Sequence, residues 1–192
     1  LKENTINNYN INKVLNENNI EESEFYYNFP KKIDDLCVFF FENITSKAEK
    51  QSNIKLKMEK SISKRVNYLL KKFFLLLNKE EKIAFYFLNF LTSKPILLKK
   101  IALKYADSTW IKLKDSSTDF NFYTKRLTLS VVFINTLIYW RGANSKDKTF
   151  NFIDKQIYSL GRFGYYKSRF KKLLKKIPIK KSLSHFDFLH KN

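Results

Sequence analysis

Asp115 and Asp119 flank Ser116, Ser117 and Thr118, and this pair of carboxylates could in principle do acid–base work. Side chains of these types also accept hydrogen bonds from the free N–H groups of a helix's first turn. The stretch 113–119 therefore reads more simply as a loop and a helix start. Cys37, the sole cysteine, falls on the apolar face of a helical pattern and reads as a small buried hydrophobe. With no second cysteine an internal disulfide is excluded. His185 and His190 lie in a basic tail, no Glu-x-x-His pair could serve a di-iron site, and no Cys/His cluster has metal-ligand spacing. Gly142, Gly161 and Gly164 make no phosphate-cradling loop. No catalytic set, metal or cofactor site emerges, and the chain is expected to bind rather than to catalyse.

The elements that must position these residues read as helices. Only three glycines and three prolines interrupt the 192 residues, which disfavours a many-turned β fold. A short helix is expected near 10–18, and another from Glu21-Glu22-Ser23 to about Asn28, before Phe29-Pro30. From Pro30, Ile33, Leu36, Cys37, Phe40, Phe41, Ile44 and Ala48 keep helical spacing. Further helices are expected near 55–77, 80–92, 95–113 and 119–141, with a last one starting near Asp147. The 80–92 helix is almost wholly apolar from Ile83 to Leu91 and is expected to be buried. The 119–141 helix is apolar nearly all round, the mark of a central helix or a dimer contact. The prediction is an all-α chain of eight or nine helices without internal repeats.

With 44% hydrophobic and 17% aromatic residues, the chain can build a real core. Its 37 basic against 18 acidic residues imply attraction to an anionic partner: nucleic acid, lipid surface or acidic protein. The abundance of Asn, Ile, Lys, Phe and Tyr is also what an AT-rich genome produces. The polar start predicts no signal peptide. The most apolar run, Leu127 to Trp140, is shorter than the ~20 residues of a spanning helix.

The stretch Phe25-Tyr26-Tyr27-Asn28-Phe29-Pro30-Lys31-Lys32-Ile33-Asp34-Asp35-Leu36 resembles the end of the recognition helix and the start of the body in TetR-type regulators. That resemblance implies a TetR-like helical bundle with a helix-turn-helix head at 1–50, its first helix reduced or missing. A recognition helix offers its N-terminal residues to phosphates and bases. Here those positions hold Glu21, Glu22 and Glu24, and no Lys or Arg occurs between Lys13 and Lys31. The head is therefore read as degenerate, without specific DNA binding.

A second resemblance is longer. Ala106-Asp107-Ser108-Thr109-Trp110, followed by Asp115-Ser116-Ser117-Thr118-Asp119-Phe120-Asn121-Phe122-Tyr123-Thr124-Lys125-Arg126, is similar to the signature of the Coq-nine family of coenzyme Q biosynthesis, with Phe122 where Trp is usual. The resemblance is read over about residues 25–165. It implies a body at 51–164 that holds an isoprenoid lipid or quinone intermediate and presents it to the di-iron demethoxyubiquinone hydroxylase, alongside other coenzyme Q biosynthesis proteins. By this resemblance Thr109, Trp110, Phe122, Tyr123 and Arg126 occupy the hydroxylase-contact positions, with Phe122 a smaller anchor than the usual Trp. The lipid is expected among Phe73, Phe74, Leu77, Phe87, Leu88, Leu91, Leu127, Val131 and Ile134, although a Phe-rich core explains the same composition.

The family adds a membrane-dipping final helix. Here residues 165–192 form a short basic tail in which Tyr166, Lys167, Arg169, Phe170, Lys171, Lys172, Leu173, Leu174, Lys175 and Lys176 could lie on an anionic membrane surface or simply stay solvated. The expected location is the cytoplasmic face of a bacterial inner membrane or the matrix face of the mitochondrial one, as a homodimer. A ligand-sensing TetR-type regulator is the competing function. It is disfavoured because the charge crowds the tail rather than the recognition helix.

Overall fold

The computed structural model describes residues 8–143 and 145–160, and among them every regular element is helical. In chain order these are α1 (Asn8–Glu17), α2 (Glu22–Asn28), α3 (Ile33–Met58), α4 (Ile62–Leu77), α5 (Glu81–Thr92), α6 (Pro95–Lys112), α7 (Asp119–Ala143) and α8 (146–160). A 3-10 turn, Asn78–Glu80, joins α4 to α5. The all-α reading is thus borne out. No helix among the described residues is long and apolar enough to cross a membrane.

Several boundaries differ from the sequence reading. Pro30 does not start α3; residues 30–32 turn, Lys32 adopts φ 49°, and the Asp35 carboxylate accepts from the Lys31 N–H at 2.8 Å. α3 then runs unbroken past residue 50 to Met58, as one helix of 26 residues. The break before α4 lies at 59–61, where the Ser61 hydroxyl accepts from the Lys64 N–H as an N-cap. Neither glycine nor proline marks that break.

The core is aromatic. Phe73 of α4 is fully buried, and its ring meets Phe41 of α3 at 6.4 Å, Tyr105 of α6 at 5.3 Å and Phe133 of α7 at 5.0 Å. Tyr105 and Phe133 stack at 4.2 Å, and Trp140 stacks on Phe85 of α5 at 5.0 Å. Ring faces and edges of opposite partial charge make such contacts worth more than their area. Burial pushes the Cys37 thiol up to about 12, so it is a packed hydrophobe and not a nucleophile at neutral pH. α8 is fastened to α4 by Asp154, which accepts from Asn67 and Lys71, both at 2.8 Å. Burial alone would raise this carboxyl; those partners hold it below its usual range.

α5 and α7 are less enclosed than their sequences imply. Ala84, Phe87, Leu88 and Leu91 of α5 face the core, while Ile83 and Asn89 are exposed. In α7, Leu129, Val132, Phe133, Thr136, Leu137 and Trp140 are buried, and Tyr123, Leu127, Val131 and Ile138 form an exposed stripe on the other side. A helix at the side of a bundle buries only the face turned to its neighbours.

Candidate functional site

α6 and α7 meet at a tight corner within the loop that the sequence places at 113–119. Two residues beyond α6, Lys114 has φ 56°, a left-handed position usually given to glycine or asparagine. The Asp115 N–H donates to the Trp110 carbonyl at 3.0 Å and the Lys114 N–H to the Ile111 carbonyl at 2.9 Å, a Schellman closure. This reversal carries the Asp115 side chain back toward the start of α7.

Asp115 is the hub of an ion-pair cluster. One carboxylate oxygen accepts from Lys125 Nζ at 2.6 Å, and the other accepts from the Ser117 hydroxyl and lies 3.7 Å from Arg126 Nη1. Arg126 Nε donates to Asp107 Oδ1 at 2.6 Å, and its Nη1 donates to the Phe122 carbonyl at 3.3 Å. The guanidinium carbon stands 3.4 Å from the Phe122 ring centroid, and Lys125 Nζ stands 5.1 Å from that of Trp110. Burial alone would raise the Asp115 carboxyl, but hydrogen bonds from Lys125 and Ser117 hold it below the usual carboxylate range. The cluster clamps the end of α6 to the first turns of α7.

The clamp sorts the five expected contact residues into two layers. Thr109 and Arg126 are buried, and Trp110 is only 9% exposed, so these three form an underlayer rather than a surface. In sequence Trp110 adjoins the loop. Its position on α6, one residue beyond Thr109 and four beyond Ala106, puts it instead on the helix's inward face. Phe122 is half-buried under the guanidinium. Tyr123 alone of the five stands out, 66% exposed, with Phe120 and Ile111 exposed nearby in sequence and across the corner.

The nine residues expected to line a lipid pocket are also divided. Phe73, Phe74, Leu77, Phe87, Leu88 and Leu91 are packed in the core, Ile134 is half-buried, and Leu127 and Val131 are exposed on α7. A cleft of about 270 Å³ lies elsewhere, between α3 and α6. Its floor is Val38, Phe41 and Ile101, and its rim carries Glu42 ion-paired to Lys104, and Glu49 accepting from the Ser108 hydroxyl at 2.6 Å. Sequence reasoning missed this cleft because its polar residues sit singly on two distant helices. Among the described residues no cluster of His, Cys, Asp and Glu could hold a metal ion. The ten tail residues Tyr166, Lys167, Arg169, Phe170, Lys171, Lys172, Leu173, Leu174, Lys175 and Lys176 lie outside the described residues.

The N-terminal stretch folds as two short helices against the start of α3. The Tyr26 hydroxyl donates to Asn12 at 2.9 Å, and Phe29 meets Phe25 and Phe39 at 5.3 and 5.6 Å. Glu21, Glu22 and Glu24 are exposed at the beginning of α2.

Residues 98–164 match the family model described as COQ9, a shorter span than the 25–165 over which the resemblance was read. No curated protein and no solved structure matches the chain. The clamp, the layer of Thr109 and Trp110 beneath it and the exposed Tyr123 all fall inside the segment that is similar to the COQ9 family model.

Proposed function

We propose that this protein is a non-catalytic accessory of coenzyme Q biosynthesis that binds an isoprenoid quinone precursor and delivers it to the di-iron demethoxyubiquinone hydroxylase. It would act at the cytoplasmic face of a bacterial inner membrane or the matrix face of the mitochondrial one. The observation that carries the reading is the exposed Tyr123, set on a corner clamped by the partly buried Asp115–Arg126–Asp107 cluster. A large aromatic held by a locked underlayer loses little entropy on docking, which is what a binding hot spot requires. Tyr123→Ala should leave the melting temperature nearly unchanged and weaken hydroxylase binding by ~2 kcal/mol or more. Titration calorimetry with the purified hydroxylase reads the second and a thermal melt the first. Unchanged affinity with intact folding removes the docking role. Native mass spectrometry of the purified chain, searched for a co-purified isoprenoid quinone, tests the lipid half separately.

The exposed stripe of α7 supports the expected homodimer. Leu127, Val131 and Ile138 recur at helical spacing on one side of that helix, and stripes of this kind pair with copies of themselves around a two-fold axis. Leu127→Glu together with Val131→Glu should leave a monomer in analytical ultracentrifugation at concentrations where the unaltered chain is dimeric. A monomeric unaltered chain, or a dimeric variant, removes this part of the reading.

A further inference from the structure

The hairpin end where α3 turns into α4 combines two features that water alone does not favour. Between residues 50 and 65 stand six basic residues, Lys50, Lys55, Lys57, Lys60, Lys64 and Arg65, against the single acid Glu59. None of the six is ion-paired among the described residues. Glu59 is turned to its own loop, its carboxylate accepting from the Ser61 N–H at 2.8 Å.

Amid these charges lie aliphatic side chains left in the open: Ile54 is 78%, Met58 75% and Ile62 44% exposed. Ile54 and Met58 are one helical turn apart. At 100° per residue they fall on the side of α3 opposite the buried Ser52 and Leu56, with Lys50 and Lys57 on one flank and Lys55 on the other. Apolar groups at the centre with long cationic side chains around them match the boundary of an anionic bilayer. There the aliphatics enter the acyl edge and the ammonium groups meet the headgroups. Nucleic acid is the other polyanion, but residues 50–65 hold no aromatic ring on which a base could stack.

We propose that the α3–α4 tip is a docking site for an anionic lipid surface, with Ile54 and Met58 inserted and Lys50, Lys55, Lys57, Lys60 and Lys64 neutralising headgroup charge. This site is separate from the tail at 165–192 and does not depend on the coenzyme Q reading.

The test uses the full chain with phosphatidylcholine vesicles, with and without phosphatidylglycerol. Flotation is expected only with the anionic lipid. Lys55→Glu, Lys57→Glu and Lys60→Glu together should lower the partition coefficient by roughly a hundredfold or more, since each cation near such a surface contributes a several-fold factor. Ile54→Ser with Met58→Ser should lower it about tenfold at unchanged net charge. All five side chains are exposed, so both variants should melt like the unaltered chain. Equal flotation of both variants overturns the proposal.

A second readout isolates the contact itself. Met58→Cys, labelled with an environment-sensitive fluorophore, should shift to the blue on anionic vesicles; Cys37 is fully buried and will not take the label. Bound protein without that shift means another part of the chain makes the contact, which also overturns the proposal. So does binding of a DNA duplex that depends on the three lysines while vesicles are ignored.

Discussion

Phe73→Ala should cost about 3–5 kcal/mol of folding stability, the range for deleting a large aromatic from a packed core. The ring is fully buried and touches rings from α3, α6 and α7 as well as Phe74 of its own helix. Removing it opens a void that three helices would have to close together, and close-packed interiors relax only in part. Urea titration of the full chain measures the loss. The same experiment bears on the proposed lipid site. If α4 lined an open apolar pocket, a truncated Phe73 would enlarge an existing space and the cost would fall well below 3 kcal/mol. A full loss means that a bound isoprenoid must displace packed rings or lie along the exposed side of α7.

The second large effect belongs to Asp115. Its carboxylate is buried between Lys125 and Arg126, and Arg126 is itself mostly buried. Asp115→Ala strands a buried guanidinium with only Asp107 as acidic partner. Breaking a buried pair from one side costs ~3–5 kcal/mol, but Asp107 and Lys125 are partly exposed, and solvent screening brings the expectation to about 2 kcal/mol. The loss should be confined to pH values at which Asp115 is ionised. The folded protein holds this carboxyl below its ordinary value of 3.8. Between the folded and unfolded values the unfolded chain therefore carries more protons, and stability rises with pH. The contribution is complete above the unfolded value and lost as pH falls through the folded one. Melts of the unaltered chain and of Asp115→Asn should differ at pH 7 and converge in strong acid. A constant difference across that range would show that geometry, not ionisation, is what Asp115 supplies.

The sequence by itself determined the class of fold and the position of the signature. Regular spacing of Leu, Ile and Phe, with lysine and glutamate between them, specifies helices wherever one side is polar, as in α3 and α4. Pro95 and the Ser-Ser-Thr-Asp run set the starts of α6 and α7 through local chemistry that needs no tertiary partner. Local signals failed where lysine stands at a position usually given to glycine or asparagine: Lys32 and Lys114 take positive φ values that lysine does not advertise. Their conformations are held by closures such as the hydrogen bond from the Asp115 N–H to the Trp110 carbonyl.

The tertiary structure decided what uniform apolarity leaves open. α7 is hydrophobic almost all round, so its pattern cannot say that Phe133 and Leu137 face the core while Val131 and Ile138 face out; only the placement of α4 and α6 chooses the side. The same choice separates Trp110 from Tyr123. Both adjoin one loop, but Trp110 lies on the inward face of α6, while Tyr123 falls on the side of α7 that no described helix covers. A ring's neighbours in sequence fix its distance from a loop, whereas its burial depends on which helix packs across from it.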